Sequence, residues 1–254
     1  MRDAQQTSRT QKGADLVLVG HGVRGPCAPA SIGIHKDLVD KLRTKSQFND
    51  VRWGYLRCEP YLEDVVAGVR SETVKILPML MCDGYFSRTV IPEKLRSNGV
   101  VNFRQSGQQI IQCLPLGISR MMADVMVAHI LEHCNKQGQI SNETSVIIIG
   151  HGSSRDEASR LAVTMQVENI KHRGKFKDVY AAFLEEAPRL PSVLRGIKGK
   201  ALVMGYFANC GLHATKDVSA LLVESGLSAE YLGPVGALPA ISDVVMDCVG
   251  RVVT

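Results

Sequence analysis

The sequence predicts an α/β fold of two tandem halves, each a mainly parallel sheet flanked by helices. Three observations predict it. First, an apolar run ending in Gly-His-Gly occurs twice, as LVLVGHG from Leu16 to Gly22 and as VIIIGHG from Val146 to Gly152. Second, landmarks follow both copies in the same order, as a duplication requires. Gly54-Tyr55-Leu56 with Pro60 matches Ala182-Phe183-Leu184 with Pro188, Gly84-Tyr85-Phe86 matches Gly211-Leu212-His213, and Pro115-Leu116-Gly117 with Asp124 matches Pro234-Val235-Gly236 with Asp243. Third, short β-branched runs alternate with longer segments of helical period, the pattern of parallel strands joined by crossover helices.

Residues 1–13 are polar and lack an apolar core, so they read as a loose tail and not as a secretion signal. The first half, 14–135, takes strands at 15–20, 51–56, 74–80 and 110–114 from its apolar, β-branched runs. Residues 136–144, polar and punctuated by Gly138 and Asn142, read as the linker. In the second half, 145–254, the strands are expected at 145–150, 179–184, 201–207 and 230–232, with helices at 156–171, 188–196, 213–225 and 238–253.

Composition removes several classes of function. At 254 residues with 45% hydrophobic and 22% charged residues, the chain carries an ordinary globular core. No run of about 18 apolar residues offers a membrane span. The net charge of +5 is modest and not gathered into a basic run, which speaks against nucleic acid as a partner. Seven cysteines, scattered and without a CxxC pair, argue against a disulfide framework or zinc ribbon and for a reducing, cytoplasmic setting. Gly20-His21-Gly22 lacks the third glycine of a dinucleotide fingerprint, and no Gly-x-Ser-x-Gly elbow marks a hydrolase.

Strand-to-helix loops of an open parallel sheet emerge on one edge, where ligands bind. In the second half His151 follows the first strand, Glu185 the second and His213 the third. These three are expected to converge on one rim. Two imidazoles and a carboxylate suit a divalent first-row metal with open coordination positions. Glu186, adjacent to Glu185, is an alternative acid. His129 and His133, four apart on a helix, read as a solvated face; His35 and His172, in helical segments with charged neighbours, read as surface residues.

Gly-His-Gly-Ser at 150–153, Ala-Phe-Leu-Glu at 182–185 and Gly-x-His-x-x-x-Asp at 211–217 resemble the class II chelatases of the CbiX and SirB type. These enzymes insert cobalt or iron into sirohydrochlorin without ATP. The repeat is similar to the long, two-domain form of that family. The resemblance implies two chelatase-like domains with a tetrapyrrole between them, in cobalamin or siroheme biosynthesis. It further implies His151 and His213 as metal-binding histidines with Glu185 as their acidic partner. No organic cofactor is implied, and the divalent metal is a substrate. The many carboxylates of sirohydrochlorin call for cationic or N–H donors, for which Arg24, Arg57, Arg88, Arg155 and the amide of Ser153 are candidates.

The first half departs from this pattern. His21 is kept, but Arg57 stands where Glu185 is expected and Phe86 where His213 is; Val90 precedes Ile91-Pro92 at a position the family gives to Asp. The chemistry is therefore expected in the second half, with the first as a wall that binds substrate through His21, Arg57 and Phe86. A carrier or sensor of metal or tetrapyrrole is the alternative reading. A two-sided cleft within one chain points to a monomer.

Overall fold

The computed structural model describes residues 13–22, 29–45, 48–97, 99, 102–105, 107–153, 156–208, 212–225 and 228–251, with the backbone alone at 29–34, 105, 212–216 and 225. The first half runs β1 (Ala14–Gly20), α1 (Pro29–Lys45), β2 (Val51–Tyr55), α2 (Leu62–Ala67) and β3 (Thr73–Pro78). A π-helical turn, Phe86–Val90, then leads into α3 (Ile91–Leu95), β4 (Asn102–Gln105), β5 (Gln108–Gln112) and α4 (Met121–Lys136). The second half runs β6 (Ser145–Gly150), α5 (Ala158–Lys171), β7 (Asp178–Phe183), α6 (Leu190–Arg195), β8 (Ala201–Gly205), α7 (Leu212–Ser225), β9 (Ala229–Pro234) and α8 (Ile241–Gly250).

The sheets have the orders β2-β1-β3-β5-β4 and β7-β6-β8-β9. All pairings are parallel except that of β4 with β5. In both halves the chain steps outward from the first strand to the second, then crosses back to the other side. The carboxyl end of the first strand is thus the switch point, where such sheets open a ligand crevice. Gly20 and Gly150 end those strands.

Both central strands are buried on both faces, and alternation divides their side chains between two cores. Val17 and Val19, like Ile147 and Ile149, pack into cores private to each half. Leu16, Leu18, Val146 and Ile148 face a single core shared by the halves and built with residues of α4, α5 and α8. Each of these four side chains is fully buried and contributes about 1.5–3 kcal/mol. Polar bonds cross the same junction. The fully buried Gln166 donates to the Gly117 and Ser119 carbonyls at 2.9 and 3.0 Å, and Lys75 to Val249 O at 2.9 Å.

Most expected strands shift by only one or two residues. The edge strand β4 was not expected: its polar NFRQ lacks an apolar signal and is held by an antiparallel turn through Gly107 at φ +85°. The last helix begins at Ile241 and not at 238, after a 3₁₀ turn at Val235–Ala237. His35 corrects the surface assignment. It is 4% exposed, stacks on Trp53 at 3.8 Å, and its Nδ1 lies 2.6 Å from Tyr55 Oη. The reason is helical phase: His35, Val39 and Leu42 share the face of α1 turned to β2, while Lys36 and Asp37 face solvent. The cysteines need a second correction, because Cys58 is disulfide-bonded while Cys82, Cys113, Cys134 and Cys248 are free. Cysteine spacing gave no sign of it. Among the described residues, no helix is long and apolar enough to cross a membrane.

Candidate functional site

In the second half, β7 extends past its last sheet residue and zips along the Gly-His-Gly turn. Leu184 N donates to Gly150 O at 3.0 Å and Glu185 N to His151 O at 2.8 Å. Glu185 is thereby held beside His151. Gly152, at φ +75°, has no room for a side chain, because a Cβ there would lie 2.6 Å from Glu186 Cγ. The Glu186 side chain is 9% exposed, accepts from Ser153 N at 3.1 Å and pairs with Arg160. Glu186 is therefore a prop beneath the turn, and Glu185 is the exposed acid.

His151 sits against the buried Phe207, with ring centroids 4.8 Å apart. Burial lowers its pKa, while the nearby Glu185 and Asp217 carboxylates push the other way. The result is an imidazole held neutral near pH 7 in a negative local field, an arrangement that favours a cation. Asp217 lies on α7 four residues beyond His213, so the two share a helix face. The His213 side chain lies outside the described residues. Among the described residues, no group of three or more His, Cys, Asp or Glu forms a ready metal cage.

The first half builds the same scaffold with opposite electrostatics. Leu56 N donates to Gly20 O at 3.0 Å, as Leu184 does to Gly150. Gly22 has φ +71°, and a Cβ there would lie 2.8 Å from Cys58 Sγ, so Cys58 fills the place of Glu186. His21 meets Phe86 edge to face at 4.3 Å, and the Arg57 guanidinium lies over the same ring at 5.2 Å. The three residues matched by sequence to His151, Glu185 and His213 thus form one cluster. Burial lowers the His21 pKa, the hydrogen bond to the Gly22 carbonyl opposes it in part, and the positive charge of Arg57 adds to the lowering.

The remaining expected binders divide. Arg88 pairs with Asp83 at 2.9 Å, which offsets its charge. The Ser153 amide, expected to receive a substrate carboxylate, is taken by the protein's own Glu186. Arg24 and Arg155 lie outside the described residues. His133 pairs with Glu230 at 3.1 Å across the halves, and the exposed His172 donates to Glu168 O at 2.7 Å.

Two further residues stand at the junction, Asp156 and the Tyr85 of the Gly84-Tyr85-Phe86 landmark. The Asp156 carboxylate accepts from Ala158 N at 2.8 Å, capping α5, and from Tyr85 N at 3.3 Å, at the start of the helical run in the other half. It joins the two rims. Gly84 permits the approach, because a Cβ there would lie 2.7 Å from Asp156 Oδ2. Tyr85 is 57% exposed at this seam and leans edge-on against Phe86.

Comparison with known proteins agrees with this architecture. A probable sirohydrochlorin cobaltochelatase of Halobacterium salinarum is 25% identical over 263 aligned positions, covering 91% of this chain and 89% of that one. The structure of CbiX, described as the terminal enzyme of siroheme biosynthesis in denitrifying bacteria, superposes with a TM-score of 0.73 at 22% identity over 94% of this chain and all (100%) of that one. The cobalt complex of the sirohydrochlorin chelatase SirB from Bacillus subtilis subspecies spizizenii gives 0.71 at 17% identity, over 94% and 95% of the two chains. A multi-domain protein of Deinococcus radiodurans with structural similarity to chelatases gives 0.80 at 22% identity, over 93% of this chain but 54% of its own length. The CbiX family profile matches twice, at residues 15–133 and 145–252. With almost all of both halves accounted for, the chain belongs to the CbiX family.

Proposed function

We propose that this chain inserts a divalent metal, cobalt or iron, into sirohydrochlorin without ATP, acting as a monomer in the cytoplasm, with residues 145–254 holding the metal. One observation carries the reading: Glu185 and Asp217 place negative charge around a neutral His151 at the sheet's switch point. His151 and His213 present imidazole to the incoming ion, and Glu185 balances its charge and assists proton departure. The tetrapyrrole lies along the seam, where Tyr85 and Phe86 offer aromatic surface. Arg57, which has no carboxylate partner within salt-bridge distance among the described residues, receives a peripheral carboxylate.

The test follows the absorption spectrum of metal-free sirohydrochlorin mixed with the protein and cobaltous or ferrous ion. Acceleration over the uncatalysed rate with either metal, lost in His213→Ala, is expected. No acceleration with either metal overturns the reading; tight binding of both partners without insertion indicates a carrier.

A further inference from the structure

We propose that His21, left alone in the half that lost the other ligands, is the base that removes a pyrrole proton from the tetrapyrrole. The inference rests on the chelatase reading and assigns to the first half a share of its chemistry.

His21 Nδ1 lies 2.7 Å from Gly22 O. A carbonyl only accepts, so Nδ1 carries the hydrogen and the neutral ring keeps its lone pair on Nε2. That atom has no hydrogen-bond partner among the described residues. The ring cannot swing away easily, being held by the Gly22 carbonyl on one side and by Phe86 at 4.3 Å on another. Such an imidazole is fixed in tautomer and orientation, which is what a general base needs.

Its neighbours suit a proton acceptor and not a metal ligand. Arg57, over the Phe86 ring, is the charged group acting on His21, and no carboxylate acts on it among the described residues. A cation bound at Nε2 meets positive charge in place of the Glu185 and Asp217 field around His151. A proton taken there is also destabilised, so the imidazolium releases it readily to water and the base is regenerated. The wall reaches the seam through adjacent residues: Phe86 follows Tyr85, whose N–H binds Asp156, three residues beyond Ser153 of the His151 turn.

The step balances simply. Insertion of a divalent ion replaces two pyrrole hydrogens. One N–H bond breaks with its electron pair left on nitrogen, which then bonds the metal, and the proton passes to His21 Nε2 and on to solvent. The second proton leaves through Glu185 or water.

Single-turnover insertion of cobaltous ion into metal-free sirohydrochlorin is to be compared for the wild type, His21→Gln and His21→Ala, with cobalt and tetrapyrrole affinities measured separately by calorimetry and fluorescence. The glutamine variant keeps polarity and reach but has no basic nitrogen. Its insertion rate should fall about 10²-fold or more, with both affinities within threefold of the wild type, and added imidazole should restore part of the rate to His21→Ala. Arg57→Gln should move the acid limb of the wild-type rate to higher pH. An active wild type with His21→Gln within threefold of it overturns the role of His21 alone, as does a loss of cobalt binding in step with rate. A wild type that fails to insert metal overturns the chelatase reading itself.

Discussion

The two rims share a scaffold and differ in almost everything exposed on it. Each has a Gly-His-Gly turn at a switch point, a glycine at positive φ packed over the third residue of the next loop, and an anchoring bond from that loop's leucine. On this common frame one half places Glu185 and Asp217 around its histidine, while the other places Arg57 and Phe86. Burial depresses the pKa of both imidazoles, yet the added charge pulls that of His151 back up and drives that of His21 further down. The same residue in the same backbone pocket thus stands in a negative field in one half and beside a positive charge in the other.

The largest expected effect separates the two histidines directly. His151→Ala should lower insertion about 10²–10⁴-fold and abolish tight cobalt binding, whereas His21→Ala should leave cobalt binding intact; calorimetry with cobalt alone reads the difference. Equal loss of metal binding in both variants would erase the asymmetry. Next, Phe86→Ala should weaken tetrapyrrole binding by about 0.5–1.5 kcal/mol, seen by fluorescence titration, without changing metal stoichiometry. Loss of bound metal in that variant would show that the first half holds the ion.

Glu186→Ala should destabilise the second half through the Ser153 turn. Removing a charged acceptor costs about 1.5–3 kcal/mol, with the lower end favoured because Arg160 is 49% exposed. Denaturant unfolding measures it, and Glu185→Ala should be nearly silent in the same assay while slowing insertion. Gln166→Leu leaves the Ser119 carbonyl without its buried donor and should cost about 1–3 kcal/mol.

The smallest effect is a pH dependence of stability. His21 and His151 both titrate below 6.5 when folded, so below that value the unfolded chain binds more protons than the folded one. Stability from these residues is present above 6.5 and is lost progressively as pH falls through the window down to the folded-state values. His21→Gln should flatten that slope in part. A slope unchanged by the substitution would contradict the assigned burial effect.

The apolar runs at 16–20 and 146–150 announce their strands because both faces of a central strand are buried, so that polar residues stand only at the strand starts, as Asp15 and Ser145 do. The pairing of Arg57 with Glu185 and Phe86 with His213 was equally readable, since duplication carries position along with it. What escaped were contacts made by residues remote in sequence. Asp156 accepting from the Tyr85 amide of the other half, Asp217 acting on His151, and His35 buried under Trp53 and Tyr55 each depend on which element lies opposite, and local pattern does not encode that. Glu185 and Glu186 are indistinguishable by type; in the structure Glu186 packs against the glycine at 152, which leaves Glu185 the exposed one of the two.

The shared core and the covalent passage from α4 to β6 have a consequence for how such a protein changes over time. In a cleft made by two copies of one subunit, every substitution is copied onto both walls, so a residue that helps one side while harming the other is rejected. Here a codon addresses one wall only. Phe86 and Arg57 can stand on one wall while His151, Glu185 and His213 are kept on the other, and each wall of the joined chain is free to change by single steps.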